Sequence, residues 1–333
     1  MRANLLYVVG AYFNPRRPPQ RAQLARRWVK ENLDCGVNIT LVEHVFGERP
    51  YEFSNDEPDF KHVHLVQVRG PQQYELWLKE PLWNLGMSRL PEEAKYINCQ
   101  DTDVRHVDAN YGAETVHMLQ HYAVGQTWTH SIDLDERGNV MRNEWGNDAD
   151  RSFSAAFVAG DIKDTSGAYV PPRAFLKDAK WDARAHAGYS LALRRSVLTG
   201  GLGQPSGIGK LPDWDIIGAA DYNMMRCFAG VMDTTQFGFP ATPGYVRRYE
   251  QFARLCDLYV KQDIGVVNGT LLAGFHGHKT KRHYLTRSEI FAESNFDPDV
   301  DIAYDGNGLP YLCSDNRLLR DGTRRYNRLR EEG

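Results

Sequence analysis

The feature that most limits what this chain can fold into is an alternation of apolar runs and helical spacing that ends in two carboxylates. Leu5 to Ala11 is a continuous apolar run, followed by the Pro-rich turn Asn14-Pro15-Arg16-Arg17-Pro18-Pro19. Arg21 to Asn32 carries Leu24, Trp28 and Val29 near helical spacing, and Gly36 ends it. Val37 to Glu43 alternates as a second strand, His62 to Val68 reads as a third, and Tyr74 to Leu85 as a helix. Lys95 to Cys99 is one more strand, and Asp101-Thr102-Asp103 follows it. This order predicts an α/β fold with a mostly parallel sheet flanked by helices.

At the carboxyl ends of strands in such a sheet the chain opens into a crevice where ligands bind. Two carboxylates one residue apart repel unless a cation lies between them. A hard divalent ion, Mn2+ or Mg2+, is the natural occupant, and it usually brings substrate phosphates. A solvated turn is the commoner use of an isolated Asp-x-Asp. The triplet therefore gains its meaning from the rest of the chain.

Composition narrows the class. At 333 residues, 42% hydrophobic and 25% charged, the chain suits one large soluble domain or two modest ones. A net charge of −3 argues against unspecific coating of nucleic acid and leaves local basic patches open. The five cysteines are odd in number and scattered, without a Cys-x-x-Cys, which fits a reducing cytoplasm. The first apolar run is too short for a secretory leader, and none approaches the ~18 residues of a membrane span. A cytoplasmic protein without membrane association is expected.

Four segments carry polar chemistry beside apolar runs. Gly10 to Pro15, with Arg21 beyond, opens a helix whose free N–H groups suit a nucleotide, or it is simply a Pro-capped start. Trp77 to Gly86 places Lys79 just before the acidic strand, where it is either a phosphate partner or a surface lysine. Leu211 to Met225 presents Asp221 at a helix start, as an N-cap or as a general base. Gly269 to Tyr284 runs from an apolar strand (residues 265 to 275) into a turn with three His and three cations. An imidazole there suits a metal shell, and Lys279 and Arg282 suit a diphosphate. A structural zinc site lacks the cysteine spacing it would need. Residues 135 to 182 form an irregular insertion, 46 to 60 an acidic surface excursion, and 315 to 330 a terminal helix.

Taken together, this order of segments resembles GT-A-fold glycosyltransferases, most closely a virus-encoded group. The pattern comprises Asn14-Pro15, the Lys79-Glu80…Asn84-x-Gly86 helix, Asp101-x-Asp103, a helix from Ala113 ending near Gln126, and His186-x-Gly188-Tyr189. Gly200-Gly201-Leu202, Asp213-Trp214…Gly218-x-x-Asp221 and His276-Gly277-x-Lys279-x-x-Arg282-x-Tyr284 complete it. The resemblance implies a Rossmann-like nucleotide-sugar half over residues 1–126 and an acceptor-side half over 127–333, in one continuous domain. It implies that Asp101, Asp103 and His276 bind Mn2+ or Mg2+, that Lys279 and Arg282 hold the donor diphosphate, and that Asp221 is the base. Tyr12, Asn14, Arg21, Glu43 and Lys79 would line the nucleotide pocket, with Asp101 beside them. Asp213, Trp214, His186 and Tyr189 fall on the acceptor side. Two departures stand out: ten residues separate Leu202 from Asp213, and Ala273 replaces a second histidine often found there.

The expected activity is transfer from a UDP-sugar to an acceptor hydroxyl, with inversion if one base serves a direct attack. By resemblance the acceptor is 5-hydroxymethylcytosine in phage DNA, in the host cytoplasm. Basic runs at Arg16, Arg17, Arg21, Arg26 and Arg27, and from Arg317 to Arg330, are compatible with double-stranded DNA or with solvated helix faces. Glycan, lipid-linked and protein acceptors are the rivals, and a non-catalytic nucleotide-sugar-binding protein is the rival of another class. A nucleotidyltransferase is disfavoured because Ala11-Tyr12-Phe13-Asn14 lacks a Gly-rich phosphate loop.

Overall fold

The computed structural model describes residues 2–71, 75–142, 146–161, 185–200, 206–232, 234, 237, 239–284 and 286–330, without the side chains of 279 and 280. The first strands are β1 (Leu6–Phe13), β2 (Asn38–Phe46), β3 (Val63–Gly70) and β4 (Tyr96–Asp101). β1 pairs in parallel with both β2 and β4, and β3 lies outside β2. Beyond β4 come Ser190–Arg194, Val124–Gln126 and Ile264–Val266, completing seven strands. Only Ser190–Arg194 runs against the others. The expected architecture, mostly parallel and flanked by helices, is the one the chain adopts.

The chain walks outward from β1 to β3 and then returns to β4 on the other side of β1. That reversal opens a crevice beyond the carboxyl ends of β1 and β4. Ala11 stands in register with Asp101 there, so the acidic triplet emerges at the crevice floor.

Two helices sandwich this part of the sheet. Helix α1 (Pro19–Asp34) begins with proline in its first turn, where no backbone donor is needed, and buries Ala22, Ala25, Trp28 and Val29. Helix α2 (Lys79–Ser88) starts five residues later than its apolar pattern suggests. Pro81 sets that boundary, because a proline is tolerated in the first turn and breaks an interior. A side chain at Gly86 would overlap Val9, so glycine lets α2 settle on β1. Asn84 clamps the backbone of Leu211 in both directions at 2.9 Å.

A second sheet of five short strands crosses the mouth of the crevice: Val104–His106, Thr270–Ala273, His130–Asp133, Asp150–Ser152 and Ala185–His186. The apolar stretch from 265 to 275 is thus two strands in two sheets, broken at Asn268-Gly269. Gly269 there offers its carbonyl to Thr129. The segment from 113 to 126 likewise divides, into a helix Tyr111–His121 and the strand Val124–Gln126. The terminal helix spans Arg317–Leu329. Gly201, Leu202 and most of the insertion past residue 161 lie outside the described residues.

Candidate active site

The antiparallel pairing of Val104–His106 with Thr270–Ala273 joins the two ends of the sequence. Ala273 faces Val104, and the Gly274 N–H donates to the Asp103 carbonyl at 2.8 Å. Three residues past Ala273, the buried His276 therefore lands on the acidic triplet, with Nε2 2.9 Å from Asp103 Oδ2. Arg21, from the first turn of α1, approaches the same oxygen at 3.8 Å.

These groups border a cavity of about 590 Å3. Of the residues singled out by sequence, Arg21, Lys79, Asp101, Asp103, His186, Tyr189, Asp221, His276 and Arg282 line it. Its volume falls in the range that holds a nucleotide-sized ligand.

Lys79 is the hub. Its ammonium lies 3.1 Å from Asp221, 3.5 Å from Glu80 and 3.7 Å from Asp101. Burial alone would favour neutral Lys79, but Asp101, Asp221 and Glu80 together hold its pKa well above the ordinary lysine value. Burial also pushes Asp221 up; Lys79 and Arg287 outweigh it and bring that carboxyl down to about 2. Asp101 rises to about 7, chiefly through burial, partly opposed by Lys79 and reinforced by Asp103. Glu80 rises to about 8, again through burial first. One cation thus serves three carboxylates, and burial holds two of them, Glu80 and Asp101, well above the ordinary carboxylate range.

Asp103 and His276 fit a divalent ion. Two ligands at right angles around an octahedral ion sit about 3 Å apart, and their facing atoms are 2.9 Å apart. The second oxygen of Asp103, Oδ1, is buried and accepts no hydrogen bond among the described residues. No group of three or more His, Cys, Asp and Glu among the described residues is placed to hold an ion unaided. An ion here therefore needs oxygens from a ligand or water, as Mg2+ and Mn2+ commonly do.

Tyr189 holds the crevice wall in an unusual conformation. Its φ of 70° is the left-handed region that bulky residues avoid. That twist lets its carbonyl accept from the Asp101 N–H at 2.8 Å while its hydroxyl donates to Asp133 at 2.9 Å. The His186 ring stacks on it at 4.2 Å. Asp133, at the end of its strand in the second sheet, also lines the cavity; only its place at a strand end marks it in the sequence.

Other expected residues stand elsewhere. Tyr12, Asn14 and Glu43 border a separate depression of about 20 Å3. Asn14 Nδ2 donates to the Tyr12 hydroxyl at 3.0 Å. Glu43 is fully buried and accepts from the Glu52 N–H and from Gln67, pinning the excursion after β2. Asp213 and Trp214 are buried away from the cavity. Asp213 accepts from Lys210 and Tyr304, and Trp214 packs against Tyr249. Lys279 opens a single 3₁₀ turn, Lys279–Arg282, and its side chain lies outside the described residues.

Sequence reasoning gave no site role to four residues of the cavity. Trp77, Tyr284, Arg287 and Arg330 line it. Trp77 is fixed by its backbone N–H, which donates to the Ile216 carbonyl at 2.9 Å, and by the edge of Phe13. Gly218 turns beneath the indole with φ of 75°, and a Cβ there would come within 2.9 Å of the ring. The signals were a tryptophan beside Lys79, the last tyrosine of the His-Gly segment, and an arginine within a basic run.

No protein-family model matches the chain, and no curated protein matches its sequence. Among solved structures, S. aureus TarS residues 1–349 matches with a TM-score of 0.40 at 8% identity, over 86% of this chain. That match spans 65% of the TarS chain, less than two thirds of it. The 4-diphosphocytidyl-2C-methyl-D-erythritol synthase of Anaerococcus prevotii matches with a TM-score of 0.34 at 9% identity, over 80% of this chain and 88% of that one.

Proposed function

We propose that this chain is a GT-A-type glycosyltransferase moving a sugar from a nucleoside-diphosphate donor, a UDP-sugar foremost, to an acceptor hydroxyl. One observation carries the reading. Residues from separate stretches of sequence meet in one cavity as an ion site (Asp103, His276), a set of cations (Arg21, Lys79, Arg282) and a carboxylate (Asp221). An Mn2+ or Mg2+ ion bound at Asp103 and His276, with Asp101 near, would supply positive charge to the departing diphosphate. Arg21 and Arg282 stand beside that place and suit its oxygens.

Asp221 takes the acceptor proton. The acceptor oxygen bonds to the anomeric carbon, the bond from that carbon to the diphosphate oxygen breaks, and the proton passes to the carboxylate. With Lys79 beside it Asp221 is a weak base, at about 2. Donor phosphates compete for that ammonium, so donor binding raises the basicity of Asp221 when it is needed. A single base and a direct displacement give inversion.

The acceptor we favour is 5-hydroxymethylcytosine in DNA, reached by flipping the nucleotide into the cavity. Most of the basic runs are engaged in ion pairs: Arg17 with Glu52, Arg21 with Asp103, Arg26 with Glu57, Arg27 with Glu31, Arg317 with Asp315, Arg320 with Asp321 and Arg328 with Glu75. That supports recognition of one nucleotide inside the cavity over a broad phosphate track. The test is transfer from several UDP-sugars to hydroxymethylated and unmodified duplexes, with Mn2+ and with chelator. Sugar on the modified duplex, abolished by Asp221→Asn while UDP binding persists, supports the reading. Donor binding without transfer to any acceptor would identify a binding protein instead.

A further inference from the structure

We infer that His106 is a positioning residue for the Asp103–His276 pair, bolting the second sheet to the first beside the acidic triplet. Its two ring nitrogens reach in different directions. Nδ1 lies 3.2 Å from Gln100 Nε2, and Nε2 lies 2.8 Å from the Thr127 hydroxyl. Gln100 precedes Asp101 in β4, and Thr127 follows the strand Val124–Gln126; both strands belong to the seven-stranded sheet. His106 ends Val104–His106 of the five-stranded one. Tyr111 stacks on the imidazole with ring centres 3.8 Å apart, and its hydroxyl donates to Asn32.

Groups that can only donate fix the sense of each bond. The Trp28 indole donates to Gln100 Oε1 at 2.8 Å, and the Asn32 amide adds a longer bond at 3.4 Å. The Gln100 amide nitrogen is thereby turned towards His106, whose Nδ1 must accept. Burial brings the imidazole down to about 3, so it is neutral and its one proton sits on Nε2, facing Thr127. The Thr127 hydroxyl, accepting there, donates onward to Ser190 Oγ at 2.7 Å. Ser190 stands opposite Gln100 across the sheet, so the chain of bonds closes on the residue where it began.

This ring encloses the root of the triplet. The Asp101 N–H is held by Tyr189, the neighbour of Ser190, and His106 stands opposite Leu271 on the strand that leads to His276. Gln100 and Thr127 are fully buried, so removing the imidazole leaves an amide and a hydroxyl short of partners. The strands carrying His276 are then free to shift against β4, which carries Asp101. The inference rests on the ion-site reading only for its effect on Mn2+.

Spectroscopy and ion binding test it together. Long-range proton–nitrogen spectra of nitrogen-labelled histidines at neutral pH should show His106, identified by its absence from His106→Phe, protonated on Nε2 and bare at Nδ1. The other tautomer or an imidazolium overturns the inference. With UDP saturating, His106→Phe and Thr127→Val should each weaken Mn2+ binding about tenfold or more, the scale for groups that orient metal ligands. Thr127→Ser keeps the hydroxyl and should stay near wild type, and UDP binding without Mn2+ should be unchanged in all three. Thr127→Val conserves volume and remains the probe if His106→Phe fails to fold. Unaltered Mn2+ affinity in a folded Phe or Val variant, failure of Thr127→Ser to retain it, or an equal loss of metal-free UDP binding overturns the inference. Should wild type bind no Mn2+, the ion reading falls and the His276 ring signals decide. Displacement by His106→Phe and Thr127→Val but not by Thr127→Ser supports the positioning role, and signals unmoved in all three overturn it.

Discussion

The Lys79 ammonium stands 3.1 Å from Asp221 and bridges it to Asp101 at 3.7 Å, joining the proposed base to the proposed ion site. Charge brought to one of these carboxylates is thereby felt at the other.

Replacing Lys79 by Met should lower turnover about a hundredfold or more, the scale of losing a preorganised charge. Its second effect is directional. Without Lys79, burial dominates at Asp221 and its pKa rises, so the acid limb of kcat/KM moves to higher pH. A pH profile of the variant checks this, and an unmoved acid limb would separate Lys79 from the base.

Asp103→Asn and His276→Gln should each weaken Mn2+-dependent UDP binding about tenfold or more while leaving metal-free binding nearly unchanged. Calorimetry with and without Mn2+ reads the difference directly. Equal losses in both conditions would make the pair structural only.

Glu80 links stability to pH. Its folded pKa of about 8 lies above the ordinary 4.5, so the folded state holds a proton that the unfolded chain releases. That contribution is full below pH 4.5 and is lost progressively as pH rises towards about 8. Glu80→Gln, neutral throughout, should gain stability relative to wild type across that window in urea titrations. A constant difference would refute it.

Tyr304→Phe removes the 2.7 Å hydrogen bond to buried Asp213 and should cost about 1–3 kcal/mol of stability. Donor affinity at a temperature where the variant is folded should match wild type, because both groups lie outside the cavity. Thermal unfolding paired with acceptor KM, which should keep its wild-type value, distinguishes this from an acceptor role for Asp213.

Gly218→Ala forces a side chain into a left-handed residue beneath Trp77 and should cost about 1–2 kcal/mol from the backbone alone. Because the indole lines the cavity and must shift, the KM of at least one substrate should rise as well. Steady-state kinetics with each substrate varied in turn resolves the two.

The parts legible in the sequence were those written in local periodicity. The apolar runs of β1 to β4, the face of α1 carrying Trp28, and the acidic triplet at a strand end all follow from neighbours within a few residues. What escaped is non-local. Nothing in the spacing near residue 270 says that it pairs with residues 104 to 106, so the choice of His276 among the imidazoles of that turn came through resemblance. Tyr12, Asn14 and Glu43 share a strand end or its neighbour with the crevice, yet the polar atoms of Tyr12 and Asn14 meet each other and those of Glu43 serve the excursion after β2. Arg330 looked like one more solvated charge, and only the packing of the last helix turns it inward.

The strand pairing between residues 104–106 and 270–273 has a further consequence for biosynthesis. During translation the amino-terminal sheet can assemble early, but its acidic triplet waits for an imidazole made much later. A nascent chain paused before residue 276 carries half of the proposed ion site, which stays incomplete until most of the polypeptide has left the ribosome.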